Sequence, residues 1–176
     1  MKIACVTSRE RGGTDRLLSD VADQLQAAGI PLAGIVKVLD YTSSFENDCD
    51  MKVRVLPEGP VVKITQDLGA GSNACRLDPG AIADAVFRVE AGPIDQADLF
   101  ILNKFGPEEA AGRGFVSAIG RALDHGIPVL VGVGMAGKEA FDAFADGLAE
   151  TLPDDLDSVR AWCESAMGNG QRRMAT

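Results

Sequence analysis

The N-terminal part of the chain alternates strand-like and helix-like patterns, and this alternation limits the fold more than any other feature of the sequence. Residues 2–7 and 32–38 are near-continuous apolar runs, which are typical of strands that are covered on both faces. Between them, apolar residues recur at helical spacing from Thr14 to Ala28, and Gly29 ends the helix. A strand, a glycine-containing turn, a helix and a second strand make a βαβ unit. This unit predicts a right-handed crossover and a parallel sheet.

The rest of the chain continues this pattern and adds one hairpin. Residues 51–56 alternate strictly between apolar and polar, and residues 61–65 follow after a turn with two prolines and a glycine. The alternation means that one face meets water, so we predict an antiparallel hairpin at an edge of the sheet. Gly112 and Gly114 weaken the helical pattern that begins at Pro107, so its first turns are expected to be broken. Further strands are predicted at 98–102 and 127–133, and further helices at 79–90, 107–124, 138–148 and 156–166.

Together these elements predict an α/β protein with a mostly parallel sheet, made of about four parallel strands and one antiparallel hairpin. A chain of 176 residues is most simply one domain. We place that domain at residues 1–168 and expect a disordered tail at residues 169–176.

The overall charge excludes several classes of partner. The chain has a formal net charge of −9, whereas nucleic acids and anionic membranes require a basic surface. An acidic protein that binds an anion must therefore hold it with local backbone N–H groups and a few cationic side chains. No apolar run reaches the length of a membrane span, and the N-terminal apolar run passes directly into charged residues, so we expect a cytoplasmic protein. The four cysteines are widely spaced without a CxxC motif and there is one histidine, so no metal site is predicted.

Residues 66–80 (QDLGAGSNACRLDPG) combine permissive backbone, hydrogen-bonding side chains and a cation ahead of a helix start. Gly71 allows backbone angles that other residues avoid, Ser72 offers a hydroxyl, and Arg76 offers a fixed positive charge. Such a loop before a helix N-terminus predicts an anion-binding site, although an ordinary surface loop would have the same composition. Cys75 is interpreted either as a packed thiol or as a soft metal ligand or redox-sensitive group.

The turn between the first strand and the first helix matches part of a phosphate-binding loop. In the frame G-x-x-x-x-G-K-[ST], the chain reads T-S-R-E-R-G-G-T from Thr7 to Thr14. Gly12 and Thr14 match the second glycine and the hydroxyl residue, whereas Thr7 replaces the first glycine and Gly13 replaces the lysine. The missing ammonium would neutralise phosphate charge, and an arginine of the turn either supplies that charge or is a solvated loop residue. The candidate ligand-binding residues of this turn are Ser8, Arg9, Gly12, Gly13 and Thr14.

A second group of polar residues follows the predicted strand at 98–102. Asn103 lies where a Mg²⁺-binding carboxylate would be expected, and an amide does not hold Mg²⁺ as a carboxylate does. Lys104 is expected in the crevice where open α/β sheets bind ligands, so it is a candidate to replace the missing lysine. Glu109 is a candidate to position water, or alternatively a favourable residue for the first turn of a helix. Arg113 is a further candidate cation.

These residues resemble a bacterial family of a domain of unknown function whose genes lie near molybdate-transport and molybdoenzyme genes. That family looks like a divergent branch of the P-loop nucleoside triphosphatases, near the small nucleotide phosphatases and the molybdopterin-guanine-dinucleotide accessory ATPases. The resemblance covers nearly the whole chain and implies a three-layer, P-loop NTPase-like α/β fold. In the small nucleotide phosphatases a D-E-x-G-x-x-E motif follows the equivalent strand, and only Gly106 and Glu109 of it remain here. The resemblance rests on Ala33-Gly34-Ile35-Val36, Asp50-Met51, Ser72-x-Ala74-Cys75-Arg76-Leu77-Asp78-Pro79-Gly80, Asn103-Lys104-Phe105-Gly106-x-x-Glu109 and Gly112-Arg113-Gly114.

We therefore expect a nucleotide or a tetrahedral, phosphate- or molybdate-like oxyanion to bind in a degenerate P-loop crevice, in the context of molybdenum metabolism. The alternatives are a slow nucleoside triphosphatase, with Lys104 and Glu109 in catalysis, and a partner-binding regulator with a vestigial pocket. The cofactors implied are Mg²⁺ with a nucleotide, or molybdate or tungstate. The expected partner is a small anionic ligand, and homodimer formation is left open. Beyond the five residues of the first turn, the expected ligand-binding residues are Gly71, Ser72, Arg76, Asn103, Lys104 and Arg113.

Overall fold

A seven-stranded sheet forms the centre of the protein. The structure is a computed structural model, and it describes residues 1–40, 51–66 and 76–171. The strands are β1 (Ile3–Val6), β2 (Leu32–Lys37), β3 (Lys52–Leu56), β4 (Val61–Lys63), β5 (Thr65–Gln66), β6 (Arg76–Leu77), β7 (Leu99–Phe105), β8 (Val129–Val133) and β9 (Ala149–Leu152). The helices are α1 (Gly13–Ala27), α2 (Pro79–Ala91), α3 (Pro107–Ala110), α4 (Val116–Asp124), α5 (Lys138–Ala145) and α6 (Leu156–Gln171), with single 3₁₀ turns at Ile94–Gln96 and Met135–Gly137.

The strand order brings the ends of three strands together. In the main sheet the order is β4-β3-β2-β7-β8-β1-β9, and β5 and β6 form a separate antiparallel pair. The strands β2, β7, β8, β1 and β9 run parallel to one another, whereas β3 runs antiparallel to β2, and β4 runs antiparallel to β3. Because parallel strands end at the same edge, the residues that follow β1, β7 and β8 lie side by side. This edge is where open α/β sheets bind ligands.

Helices cover both faces of the sheet and give it three layers. On one face α1 and α6 bury side chains such as Leu18 and Val159 against the sheet. On the other face α2, α4 and α5 form the second core, which includes Ile119 and Phe141. The strands between the layers are buried on both sides, and this explains their near-continuous hydrophobicity.

The predicted α/β class, the mostly parallel sheet and the edge hairpin are confirmed. The predicted helix start at Asp78 is also confirmed, since its carboxylate accepts from the N–H groups of Gly80 and Ala81. The predicted break after Pro107 separates α3 from α4, and Gly112 and Gly114 adopt positive φ there.

The main differences from the prediction are one additional strand and the positions at which three elements end. The sheet has five parallel strands rather than four, because the short polar edge strand β9 was not predicted. Strand β7 continues to Phe105, with an irregular register after Leu102, so Asn103 and Lys104 lie within the strand and not after it. Helix α5 ends at Ala145 rather than Leu148, because Asp146 adopts a left-handed conformation there. Helix α6 continues to Gln171 and so includes residues 169–171 of the predicted tail, and residues 172–176 lie outside the described part.

None of the helices in the described ranges is long and apolar enough to cross a membrane.

Candidate functional site

The turn between β1 and α1 is held closed by its own hydrogen bonds. Gly12 caps α1 in a left-handed conformation, with φ of 71°, which favours glycine. The Ser8 N–H donates to Thr14 Oγ1 at 2.9 Å, and the Glu10 N–H donates to Ser8 Oγ at 3.1 Å. A Cβ on Gly13 would lie 2.4 Å from Ser8 Oγ, so the turn has no room for a side chain at the position of the missing lysine.

The first turn of α1 contains backbone N–H groups that donate to no described residue. The Gly13 and Arg16 N–H groups bond to Glu10 and Gly12 carbonyl oxygens, whereas the N–H groups of Thr14 and Asp15 have no acceptor among the described residues. Free N–H groups at the start of a 15-residue helix, together with the positive end of its dipole, favour an anion.

A cavity of about 140 Å³ opens at this point, between the ends of β1, β7 and β8. Five of the predicted ligand-binding residues line it: Ser8, Gly12, Thr14, Asn103 and Lys104. The sequence prediction missed five others: Glu10, Asp15, Gly132, Val133 and Gly134. Gly132 and Gly134 lie at the end of a buried strand, and two glycines at that position are the sequence signal that could have identified them. A Cβ on Gly132 would lie 2.1 Å from the Asn103 carbonyl oxygen, so this glycine lets β8 approach β7 closely at the cavity wall.

Lys104 is the cavity-lining cation without a counter-charge in the described part of the chain. The two carboxylates of the cavity are each paired elsewhere: Glu10 with Arg16 at 2.7 Å, and Asp15 with Lys37 at 3.1 Å. Lys104 is exposed, and its ammonium forms no ion pair or hydrogen bond with another described residue. Among the residues that the structure describes, the cavity therefore carries one uncompensated positive charge within an acidic protein.

Asn103 connects three elements beneath the cavity. Its side chain is buried with the residue at 2% exposure, and its Oδ1 accepts from the Lys37 backbone N–H at 3.0 Å. Its Nδ2 donates to Asp15 Oδ1 at 3.0 Å, while Lys37 Nζ lies 3.1 Å from Asp15 Oδ2. We call these three residues the Asn103 network. It fixes the start of α1 against the ends of β2 and β7.

The two glutamates after β7 make structural contacts. Glu109 is 5% exposed, its Oε2 accepts from the Gly106 N–H at 2.9 Å, and its Oε1 accepts from the Phe115 N–H at 3.0 Å. Glu109 thus closes the connection from α3 to α4, and it is not among the residues that line the cavity. Glu108 forms a two-pronged, exposed pair with Arg113 at 2.8 and 3.1 Å. The hydrogen bonds from Arg113 hold the pKa of Glu108 below its ordinary value, and Glu108 raises the pKa of Arg113. Arg113 is therefore already occupied by a carboxylate.

The structure does not show the other predicted residues as part of the cavity lining. Arg9 is exposed on the turn and forms no hydrogen bond or ion pair with another described residue. Arg76 is described through its backbone only, in β6, where it pairs with Gln66. Gly71, Ser72 and Cys75 lie outside the described residues, as does most of the loop that we expected to bind an anion.

We expect Glu109→Gln to lower the free energy of unfolding by about 1–2 kcal/mol, because the amide nitrogen would face a buried N–H group in place of an acceptor oxygen. Urea denaturation followed by circular dichroism measures this change. Glu108→Gln is the matched control, and the loss of its exposed pair should lower the free energy of unfolding clearly less than Glu109→Gln does. Equal losses in the two variants would show that the Glu109 contacts do not hold the loop.

Comparisons with known proteins show the family and the fold of the chain. A segment of "Molybdenum import ATP-binding protein ModC 2" from Bradyrhizobium diazoefficiens is 34% identical over 161 residues, which is 92% of this chain. The chain spans only 18% of the length of that relative. The human cancer-related nucleoside triphosphatase, solved in solution, superposes with a TM-score of 0.53 at 15% identity, covering 86% of this chain and 87% of the other. That likeness confirms the predicted P-loop NTPase-like fold.

A family model described as "Protein of unknown function (DUF2478)" matches residues 3–162. The predicted family resemblance is therefore confirmed, and the chain belongs to this divergent P-loop NTPase-like family.

Proposed function

We propose that the cavity between the ends of β1, β7 and β8 binds a tetrahedral oxyanion or the phosphate group of a nucleotide, in the context of molybdenum metabolism. One observation carries the proposal. The N–H groups of Thr14 and Asp15 and the ammonium of Lys104 have no partner within residues 1–40, 51–66 and 76–171, and the three residues line one small cavity. Backbone donors at a helix start and a single cation suit a small dianion.

The size of the cavity favours a small group. At about 140 Å³ it is well below the roughly 300–1,000 Å³ of sites that enclose drug-sized ligands. A phosphate or molybdate group is small enough to lie inside, whereas the base and sugar of a nucleotide would have to lie outside. The ligand's tetrahedral oxyanion is therefore the part that this site recognises.

The link to molybdenum metabolism rests on the relative. The matching segment belongs to a protein named for molybdenum import and ATP binding, and it accounts for 92% of this chain. A shared segment of this length makes molybdate, tungstate and adenine nucleotides the first ligands to test.

Two other functions are less well supported by the geometry. Hydrolysis of a nucleoside triphosphate needs a group that positions water, and both oxygens of Glu109 already accept backbone hydrogen bonds. A partner-binding regulator finds some support in an apolar groove of about 520 Å³ along α2, where Phe87 is 68% exposed. Measured turnover of ATP with Mg²⁺ separates the enzyme from the two binding functions.

Isothermal titration with molybdate, tungstate, phosphate and ADP tests the proposal directly. We expect Lys104→Met to weaken binding of the ligand that binds best by about 10- to 100-fold, because a charge-assisted hydrogen bond is lost. Circular dichroism should show that the variant remains folded, since Lys104 is exposed.

Lys2→Met is the matched control for that variant. It removes the same charge at the opposite end of β1, where Lys2 Nζ contacts the Ser165 carbonyl oxygen. Its affinity should equal that of the unmodified protein. If both variants bind equally well, or if none of the four ligands binds, the cavity is not the proposed site.

A further inference from the structure

The P-loop NTPase-like fold implies a Mg²⁺ ion beside the phosphate loop, so the oxygens that would hold it can be tested for fit. Mg²⁺ requires oxygen ligands in near-ideal octahedral geometry and binds to proteins through one or two carboxylates. The oxygens in the expected place are the Thr14 hydroxyl, the Asn103 amide oxygen and the Asp15 carboxylate.

Each of these oxygens already has a donor. Thr14 Oγ1 accepts from the Ser8 N–H at 2.9 Å, and Asn103 Oδ1 accepts from the Lys37 N–H at 3.0 Å. The two Asp15 oxygens accept from Asn103 Nδ2 at 3.0 Å and from Lys37 Nζ at 3.1 Å. No group of three or more metal-binding side chains occurs within the described ranges either. The donor set does not fit Mg²⁺.

The ammonium group of Lys37 supplies a positive charge beside Asp15, where Mg²⁺ would be expected. Its ammonium comes from the end of β2 and reaches Asp15, with side-chain exposures of 29% and 18% for the two residues. A pair so largely shielded from water is screened less by salt than a surface pair. A divalent ion at Asp15 would have to displace the ammonium or lie within a few ångströms of it, and both arrangements are unfavourable.

We propose that Lys37 is a resident cation that replaces Mg²⁺, so that the site takes a free, metal-uncomplexed oxyanion rather than a metal–nucleotide chelate. The part of this inference that concerns the ligand rests on the proposed function, whereas the exclusion of metal does not. A free dianion keeps its full charge, and Lys104 together with the N–H groups of Thr14 and Asp15 is the complementary set. The amide at Asn103 agrees with this assignment, because a carboxylate there would restore a metal ligand.

The metal part is tested without any oxyanion, on the full chain. In two-dimensional ¹⁵N NMR spectra, added Mn²⁺ broadens the amide signals of residues near a site that binds hard divalent ions. We expect no selective broadening of Thr14 and Asp15 in the unmodified protein. In Lys37→Met the freed carboxylate should bind Mn²⁺, and these two signals should broaden, while Lys2→Met should behave as the unmodified protein.

The outcomes separate the two proposals. Selective broadening of the Thr14 and Asp15 signals in the unmodified protein overturns the inference, whatever the Lys37→Met variant shows. The inference is also overturned if Mn²⁺ broadens these signals no more in a folded Lys37→Met variant than in the unmodified protein. Titration of molybdate in the presence of EDTA and then of Mg²⁺ tests the ligand part, and the affinity should be the same in both. Tighter binding with Mg²⁺ also overturns the inference. If none of molybdate, tungstate, phosphate and ADP binds, the proposed function is removed, and the Mn²⁺ result still stands.

Discussion

Gly34→Ala is expected to destabilise the protein by about 3–5 kcal/mol, which is the largest loss we predict for a single methyl group. Gly34 lies in the middle of β2 with φ of 106°, in a region that residues with a side chain rarely adopt. An added Cβ would lie 1.9 Å from the carbonyl oxygen of Ile101, its neighbour on β7. Backbone strain and a clash with backbone therefore act together, and β2 and β7 must separate. These are the strands that carry Lys37 and Asn103, so the Asn103 network should be disturbed as well.

Gly29→Ala is the control that isolates the strain. Gly29 also has a positive φ, of 76°, but an added Cβ would meet nothing within 4 Å. The left-handed conformation alone should cost about 1–2 kcal/mol. Urea denaturation of both variants gives the difference, which measures the close approach of β2 to β7. If Gly34→Ala loses no more than Gly29→Ala, the two strands do not approach as closely as the structure indicates.

The layered fold was predictable because its main elements have strong hydrophobic periodicities. The buried runs at β1, β2 and β8 and the helical spacing in α1 need no knowledge of distant residues. Strand β9 has the sequence AETL with two exposed residues, and its pairing with β1 supplies the order that its own pattern lacks. Edge strands of this kind are set by tertiary contacts more than by propensity.

The cavity was predictable in part, for a related reason. Gly12, Thr14 and Lys104 were identified because each stands in a local motif at the end of a strand. The partners of Asp15 could not be identified, because Lys37 and Asn103 are 22 and 88 residues away in sequence. The contacts of Asp15 with these two residues depend on the order of the strands in the sheet. The local sequence pattern of a single element does not determine that order.

Contacts that the local sequence does not reveal also decided the roles of two polar residues, Asn103 and Glu109. Asn103 was expected to face a ligand, and in the structure both ends of its amide hold protein groups. Glu109 was weighed as a catalytic residue and as a helix-start residue, and its contacts with Gly106 and Phe115 support a structural role. In both cases the residue type was informative, but its partner decided its role.

Asn103→Asp is expected to lower the free energy of unfolding by about 2–4 kcal/mol at neutral pH, although the two side chains have nearly the same shape. The change replaces the Nδ2 donor, 3.0 Å from Asp15 Oδ1, with an acceptor oxygen at a position that is 2% exposed. Two carboxylates at that separation cannot both be ionised without a large cost, so one should hold a proton in the folded variant. The folded state then binds more protons than the unfolded state, and stability should rise as the pH falls from about 8 to about 5.

A double variant tests the cause of that loss. Asn103→Asp combined with Asp15→Asn exchanges the carboxylate and the amide, so that one donor and one acceptor again face each other across the same 3.0 Å contact. We expect the double variant to recover about half of the lost stability or more, and to lose the dependence on pH, because a single carboxylate remains. Urea denaturation at several pH values measures both effects. If the loss of stability in the double variant equals the sum of the losses in the two single variants, the hydrogen bond between Asn103 and Asp15 does not join α1 to β7. Other contacts would then have to hold Lys37 beside Asp15.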